Sequence, residues 1–505
     1  MPLVVRGILL LWLVAVPWAC SSRVRRDLVL AAAFLLGLLF LPMVDAPGED
    51  GDAGAFTAIA LPGLALDKYN VISLAVLLAV VLVDGRRLAQ FRLCWTDLPM
   101  LAWCLCPLPS VVGAPPPDGR DPFPTGLAQC FGVFLVWGVP YFVGKLYFNT
   151  FERLRDLACL FVLGAILYCP LCLYEIRMSP QLHLRVYGFF QHDFQQSIRY
   201  GGFRPMVFMQ HGLAVGLFLV TATLAGFLLW ASGAAKEVLG GRPRWLARWL
   251  LPCLLGMLAV TTFLGKSTGA LALGAAGVVV LALARWPRTA LPLCCLLLVC
   301  PLYIGGRTSG AWSGSSLVPA IQNAFGQDRA DSFAFRQENE DLLMERAFEG
   351  PPFGWAGWGR NLVHDRYGKL LTVPDGLWVI VLGGQGLPGL VALWLAMLLP
   401  VARFLWLQPV STWTQPRCAG ATACAVVVVL YMLDNLMNNM HNHVFVVMAG
   451  GLAALARTPT PAPPLPPAVT DRGVFLWSLF VTRRARSGMQ RPGAGAGAPA
   501  GPDTA

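Results

Sequence analysis

About thirteen apolar runs follow one another along the chain, near residues 8–20, 28–44, 71–84, 98–113, 126–144, 157–176, 206–230, 250–265, 268–284, 290–304, 376–402, 419–434 and 443–456. Most approach the roughly 20 residues with which a helix crosses about 30 Å of hydrocarbon. Inside a bilayer only helices and closed barrels pair every backbone N–H and C=O, and runs of this length mean helices. The chain is therefore expected to be all-α, a polytopic transmembrane bundle of about 12–13 spans. With 56% hydrophobic and 13% charged residues, it has about half the charge of an ordinary soluble domain. The first run, preceded by Arg6 and ending at Ala19-Cys20, has a second reading as a signal-like segment.

The net charge of +11 comes from basic residues scattered between apolar runs, not gathered into one patch, so it does not point to nucleic acid. When the runs are alternated across a membrane, Arg23, Arg25, Arg26, Arg86, Arg87, Arg92, Lys145, Arg153, Arg155, Lys236, Arg242, Arg244 and Arg248 fall on one side. Arg285, Arg288, Arg403, Arg417 and the tail from Arg457 join them, and an excess of Lys and Arg marks that side as cytoplasmic. The other side receives the acidic stretch at Asp45, Glu49, Asp50 and Asp52, the segment 178–204, the turn at Lys266 and a long polar loop, 306–373. The expected organisation is N-terminal transmembrane helices (1–305), an external loop with short helices (306–373) and C-terminal transmembrane helices (374–456). A Pro/Gly/Ala-rich cytoplasmic tail (457–505) has too few apolar residues to build a core.

The fourteen cysteines lie almost entirely in or beside apolar runs and read as small packing residues, with no disulfide framework. No metal or cofactor is expected: the lone CPLC of Cys169 and Cys172 sits in an apolar run, and His441 and His443, in a short external turn, have no evident third ligand. GKSTG at 265–269 matches GxSxG but joins two apolar helices where a nucleophile elbow needs a strand and a helix.

Polar residues collect in four places. In SIRYGGFRPMVFMQHGL (197–213), a Gly-Gly turn delivers Arg204 directly before Pro205 and an apolar run. Proline suits the first turn of a helix there, and free N–H groups beside a guanidinium suit a phosphate; His211 would follow two turns deeper. The alternative is an arginine reaching for lipid headgroups and a histidine bonded within the bundle. Lys266 interrupts two helices in FLGKSTGALALG and reads first as an interfacial anchor. In the long loop, Asp331 or Ser332 is placed to cap a helix with an apolar stripe of Phe335, Leu342, Leu343 and Ala347, ending at Glu349-Gly350-Pro351-Pro352. Arg329 and Arg336 share a face if that helix begins early, either as solvated charges or as a second phosphate clamp. Asp375, at the mouth of the next apolar run, is either a helix cap or a general base held near the arginines.

The spans, RPMVFMQHGL, GKSTGALALG and the late loop FRQENEDLLMERAFEGPPFGWAGWGRN before DGLWVIVLGGQGLPGL together resemble the bacterial O-antigen ligase and O-antigen polymerase family over roughly residues 70–455. The resemblance implies a multi-pass glycosyltransferase of the bacterial inner membrane, acting without a metal at the periplasmic face in polysaccharide or lipopolysaccharide biosynthesis. The donor would be a polyprenyl-diphosphate-linked glycan, and the acceptor a lipid, a glycan or a protein. Arg204 and Arg336 would take the positions that hold the diphosphate, with Lys266 in support and His211 and Arg329 as additional site residues. Asp375 would be the catalytic base. Family members often carry a histidine where this chain has Asp375-Gly376, and an aspartate accepts a proton but cannot become a cation. Two other classes share the same features: a transporter or flippase of lipid-linked sugars, and a non-catalytic scaffold of a polysaccharide export system.

Overall fold

The computed structural model describes residues 2–22, 24–43, 59–61, 64–238, 249–357 and 359–455. The acidic stretch 45–52, Arg23, Arg242, Arg244, Arg248 and the tail from Arg457 lie outside the described residues. The chain is an all-α, multi-pass membrane protein. Its helices are α1 (Pro2–Ser21), α2 (Arg26–Phe40), α3 (Lys68–Leu88), α4 (Leu98–Leu105), α5 (Pro107–Gly113), α6 (Pro122–Val133), α7 (Val139–Tyr147), α8 (Phe151–Met178), α9 (Leu182–Tyr187) and α10 (Gly212–Ser232). They continue with α11 (Ala234–Val238), α12 (Leu251–Leu264), α13 (Thr268–Arg285), α14 (Leu291–Thr308), α15 (Val318–Phe325), α16 (Gln327–Phe348), α17 (Leu377–Leu407), α18 (Pro416–Asp434) and α19 (His443–Ala453). The short hairpins β1–β2 (Ile59–Leu61, Leu64–Leu66) and β3–β4 (Ile198–Arg199, Gly202–Phe203) are both antiparallel.

Each apolar run contains a helix, but among the described residues eight helices, not about thirteen, are long and apolar enough to cross a membrane: α1, the joined α6–α7, α8, α10, α13, α14, α17 and α18. The other runs form α2, α3, the α4–α5 pair, α12 and α19, which are short, broken or flanked by charge. α18 and α19 form the centre, almost wholly buried along their lengths. α19 packs on α7 at glycines from both helices: a Cβ on Gly144 would strike Val447 O, and one on Gly450 would strike Tyr141 O. Close backbone approach at small residues is how helices associate where no water drives them together.

Ion pairs show which helix ends meet. At one end Arg26 binds Asp84 (2.8 Å), Arg25 binds Asp156 (2.7 Å) and Tyr147 Oη donates to Asp84 (2.9 Å). The basic loops beside α2, α3, α7 and α8 therefore lie together, as the alternation of spans requires. At the other end Glu175 of α8 accepts four backbone N–H groups, from Gln181, Leu182, Met206 and Val207, at 2.7–3.1 Å. All fourteen cysteines are free.

Candidate functional site

Glu175 sits where α8 gives way to the irregular segment 179–211, and its four bonds fix that segment's path. Residues 206–209 are buried, so their backbone groups need partners. Tyr168 accepts from Phe208 N (2.9 Å), Lys68 donates to Phe208 O (2.7 Å), and Gln191 donates to the carbonyls of Val207 and Met209. The helix expected to start at Pro205 therefore begins later. α10 opens at Gly212, and His211 is its N-cap, accepting from Leu213 N at 3.0 Å. Four side chains, two from α8, one from α3 and one from the loop after α9, have claimed the backbone of 206–209, and Val207, at φ 52°, cannot continue a helix.

Arg204 reaches this helix from outside. Its stem crosses Gly212, where a Cβ would strike Arg204 Cδ. Its backbone N–H donates to Ser197 O (2.8 Å), binding it to the β3–β4 hairpin. Tyr200 and Gly201, at φ 49° and 65°, make the tight turn of that hairpin, and the same hairpin presents Arg199. Lys266, itself at φ 53°, donates to Tyr200 O (3.0 Å) and Arg199 O (3.3 Å). It braces the hairpin from behind and does not line the cavity described below.

The loop helix supplies the opposing wall. α16 begins at Gln327 after an uncapped Gly326, earlier than either Asp331 or Ser332, so Arg329 and Arg336 share a face. Phe335 and Leu342, expected in the apolar stripe, are exposed, while Gln337, Glu340, Leu343 and Ala347 are buried. The reason is a polar anchor. Glu340 accepts from Tyr303 Oη (2.7 Å) and Trp378 Nε1 (3.1 Å) and pairs with Arg307 (3.4 Å), which also binds Asp341 (3.0 Å). This fastens α16 to α14 and α17. Burial raises the Glu340 carboxyl above its ordinary range, against bonds that lower it.

Between these walls lies a cavity of about 480 Å³. Arg199, Arg204, Arg329 and Arg336 line it. Leu213, Thr268 and Gly269 bring in the first turns of α10 and α13, whose positive dipole ends favour an anion. Its apolar wall includes Leu273, Ile321, Phe333 and Met437. Arg204 is 4% exposed; burial first, then Arg199, Arg329 and Arg336, lower its pKa to about 10. Burial first, then Arg329 and Arg336, lower Arg199. Among the described residues neither has a carboxylate within ion-pair distance, and Arg204 Nε has no hydrogen-bond partner. Arg329 donates to Tyr200 Oη (3.0 Å).

His211 lines the same cavity. Because Nδ1 accepts from Leu213, Nε2 carries the proton and donates to Gln196 Oε1 at 3.3 Å. Burial, His192 and Arg204 push its pKa down to about 3, so it is neutral. Asp375 does not cap α17, whose N-cap is Gly376; its Oδ2 binds Arg336 Nε at 3.2 Å. Burial raises the Asp375 carboxyl and Arg336 opposes that rise. Arg204, Arg329, Arg336 and His211 are thus brought together, with Asp375 joined to them through Arg336.

Arg199 and the pair Asp434 and Asn438 also line the cavity and were not singled out from the sequence. Their signals were a second arginine in IRYGGFR and a polar LDNLMNN closing an apolar run. His441 and His443 lie inside the bundle, not in an interfacial turn, with Tyr69 5.2 and 5.5 Å from their rings. Among the described residues no three His, Cys, Asp or Glu side chains are grouped to hold a metal. No protein-family model and no curated protein matches the chain.

Proposed function

We propose that this cavity holds the diphosphate of a polyprenyl-diphosphate-linked glycan and that the protein transfers the glycan to an acceptor hydroxyl. The observation that supports it is a wall of four arginines beside an apolar surface, with Arg199 and Arg204 lacking any carboxylate among the described residues. Buried cations are retained at a cost that a polyanionic ligand offsets. The apolar wall suits the lipid end of the same molecule.

In this reading the acceptor oxygen attacks the anomeric carbon as the bond to the diphosphate breaks. Asp375 takes the hydroxyl proton, and the carrier diphosphate departs with both electrons of the broken bond. Arg204, Arg336, Arg199 and Arg329 would stabilise its growing charge. The positive-inside alternation supports a non-cytoplasmic position for this end, which in this reading is the periplasmic side of a bacterial inner membrane.

The test is glycan transfer by the purified chain in proteoliposomes containing envelope lipids with polyprenyl-diphosphate-linked glycans. Arg204→Ala and Arg336→Ala should each lower transfer on the order of 100-fold; full transfer by folded variants would sink the reading. Sugar crossing the vesicle membrane without a new glycosidic bond would establish the transporter instead. In the host, deletion that shortens surface polysaccharide indicates a polymerase, and deletion that detaches it a ligase.

A further inference from the structure

We infer that Asp434, held by Asn438, binds a hydroxyl of the cavity's ligand, so that the site takes a phosphorylated sugar or polyol in preference to a bare phosphate or diphosphate. The inference rests on the reading of the arginine wall as a phosphate site and adds to it the chemistry of the group attached.

Asp434 is the last residue of α18, is 7% exposed, and lines the cavity. Asn438 Nδ2 donates to its Oδ1 at 2.9 Å. Oδ2 is buried with no hydrogen-bond partner. Although four arginines line the same space, Asp434 has no ion pair among the described residues, whereas Asp375 is engaged with Arg336. The backbone holds this arrangement: Asp434 O accepts from Asn438 N (2.8 Å), and Leu377 N donates to the carbonyls of Asn435 and Asn438 (3.0 and 3.1 Å). A buried carboxylate oxygen is costly until a donor reaches it. A bare diphosphate brings mostly negative charge and few donors to that oxygen at neutral pH; every sugar or polyol hydroxyl can donate to it. A cationic wall and an acceptor on one cavity therefore fit an anion joined to a hydroxyl-bearing group, and Asp434 penalises the anion alone.

The experiment measures binding to the full chain in nanodiscs of geranylgeranyl diphosphate and of the same lipid bearing glucose, galactose or N-acetylglucosamine on its terminal phosphate. At least one glycosylated lipid should bind about tenfold or more tighter than the bare diphosphate, as one charge-assisted hydrogen bond provides. Asp434→Asn should remove most of that preference while leaving the bare lipid bound equally well or better. Asn438→Ala, which keeps the charge and frees Oδ1, should also reduce it and serves if Asp434→Asn does not fold. No preference in the wild type, or an unchanged preference in both variants, overturns the inference. If Arg204→Ala and Arg336→Ala also leave the bare lipid bound at full affinity, the phosphate reading fails with it; if they abolish binding, only the role of Asp434 is lost.

Discussion

Arg336 on the loop helix α16 holds Asp375, two residues before α17, through a 3.2 Å contact from Nε to Oδ2. This ion pair joins the long loop to the chain's return into the membrane, and among the described residues it is the one ion pair of Arg336, which also lines the cavity. It also sets Asp375 two tasks, orienting an arginine and accepting a proton, which one substitution separates.

Asp375→Asn keeps a hydrogen-bond acceptor for Arg336 and removes the base. Turnover should fall by about 100-fold or more, while the affinity for geranylgeranyl diphosphate stays the same or rises, because Arg336 loses its counter-charge. Since burial raises this carboxyl, wild-type turnover should climb with pH on the acid side as Asp375 ionises, and the variant should lose that limb. Unchanged turnover across pH would remove Asp375 as the base.

Arg204→Lys tests whether the guanidinium fork matters or only its charge. A lysine cannot reproduce two parallel donations to a phosphate, and its stem must still cross Gly212. We expect about tenfold weaker binding of geranylgeranyl diphosphate, measured in nanodiscs at fixed salt. Equal affinity would show that Arg204 acts as a distant charge alone.

The Glu340 anchor predicts a stability effect separate from chemistry. Arg307 has a 1% exposed side chain and Glu340 a 5% exposed one, so Glu340→Ala leaves a buried cation short of a partner, a change that costs about 3–5 kcal/mol in other proteins. Asp341 remains, which places the expected loss at the lower end. Thermal unfolding in detergent should show the loss, and protease should cut the 306–373 loop faster. Unchanged cutting would mean that α16 is fastened elsewhere.

His211 predicts acid sensitivity. Its pKa is about 3 in the fold against an ordinary 6.5, so below pH 6.5 the unfolded chain takes up a proton that the folded chain refuses. Stability therefore falls as pH drops from about 6.5 toward 3, by at most about 1.4 kcal/mol per unit for this residue. His211→Asn, which retains an N-cap acceptor, should show a shallower decline in melting temperature between pH 7 and 5. An identical slope would assign the acid sensitivity to other groups.

The sequence by itself determined the class of fold, the two ends of the bundle and several of the residues at one end. Bilayer thickness constrains each apolar run separately, and charge bias constrains each loop separately, so these properties survive without knowing which segments touch. Arg204 was legible for the same reason, standing at a local boundary between polar loop and apolar chain; Arg336 lies inside the loop 306–373 and was a candidate through its spacing from Arg329 and the family resemblance. Only the tertiary structure decided where α10 begins, because Glu175, Tyr168, Lys68 and Gln191 reach the 206–209 backbone from distant parts of the chain. It decided that Lys266 braces a hairpin, that α16 buries Glu340 and exposes Phe335, and that Asp434 lines the arginine cavity with no ion pair among the described residues. A charge's role depends on the partner that satisfies it, and those partners come from other helices.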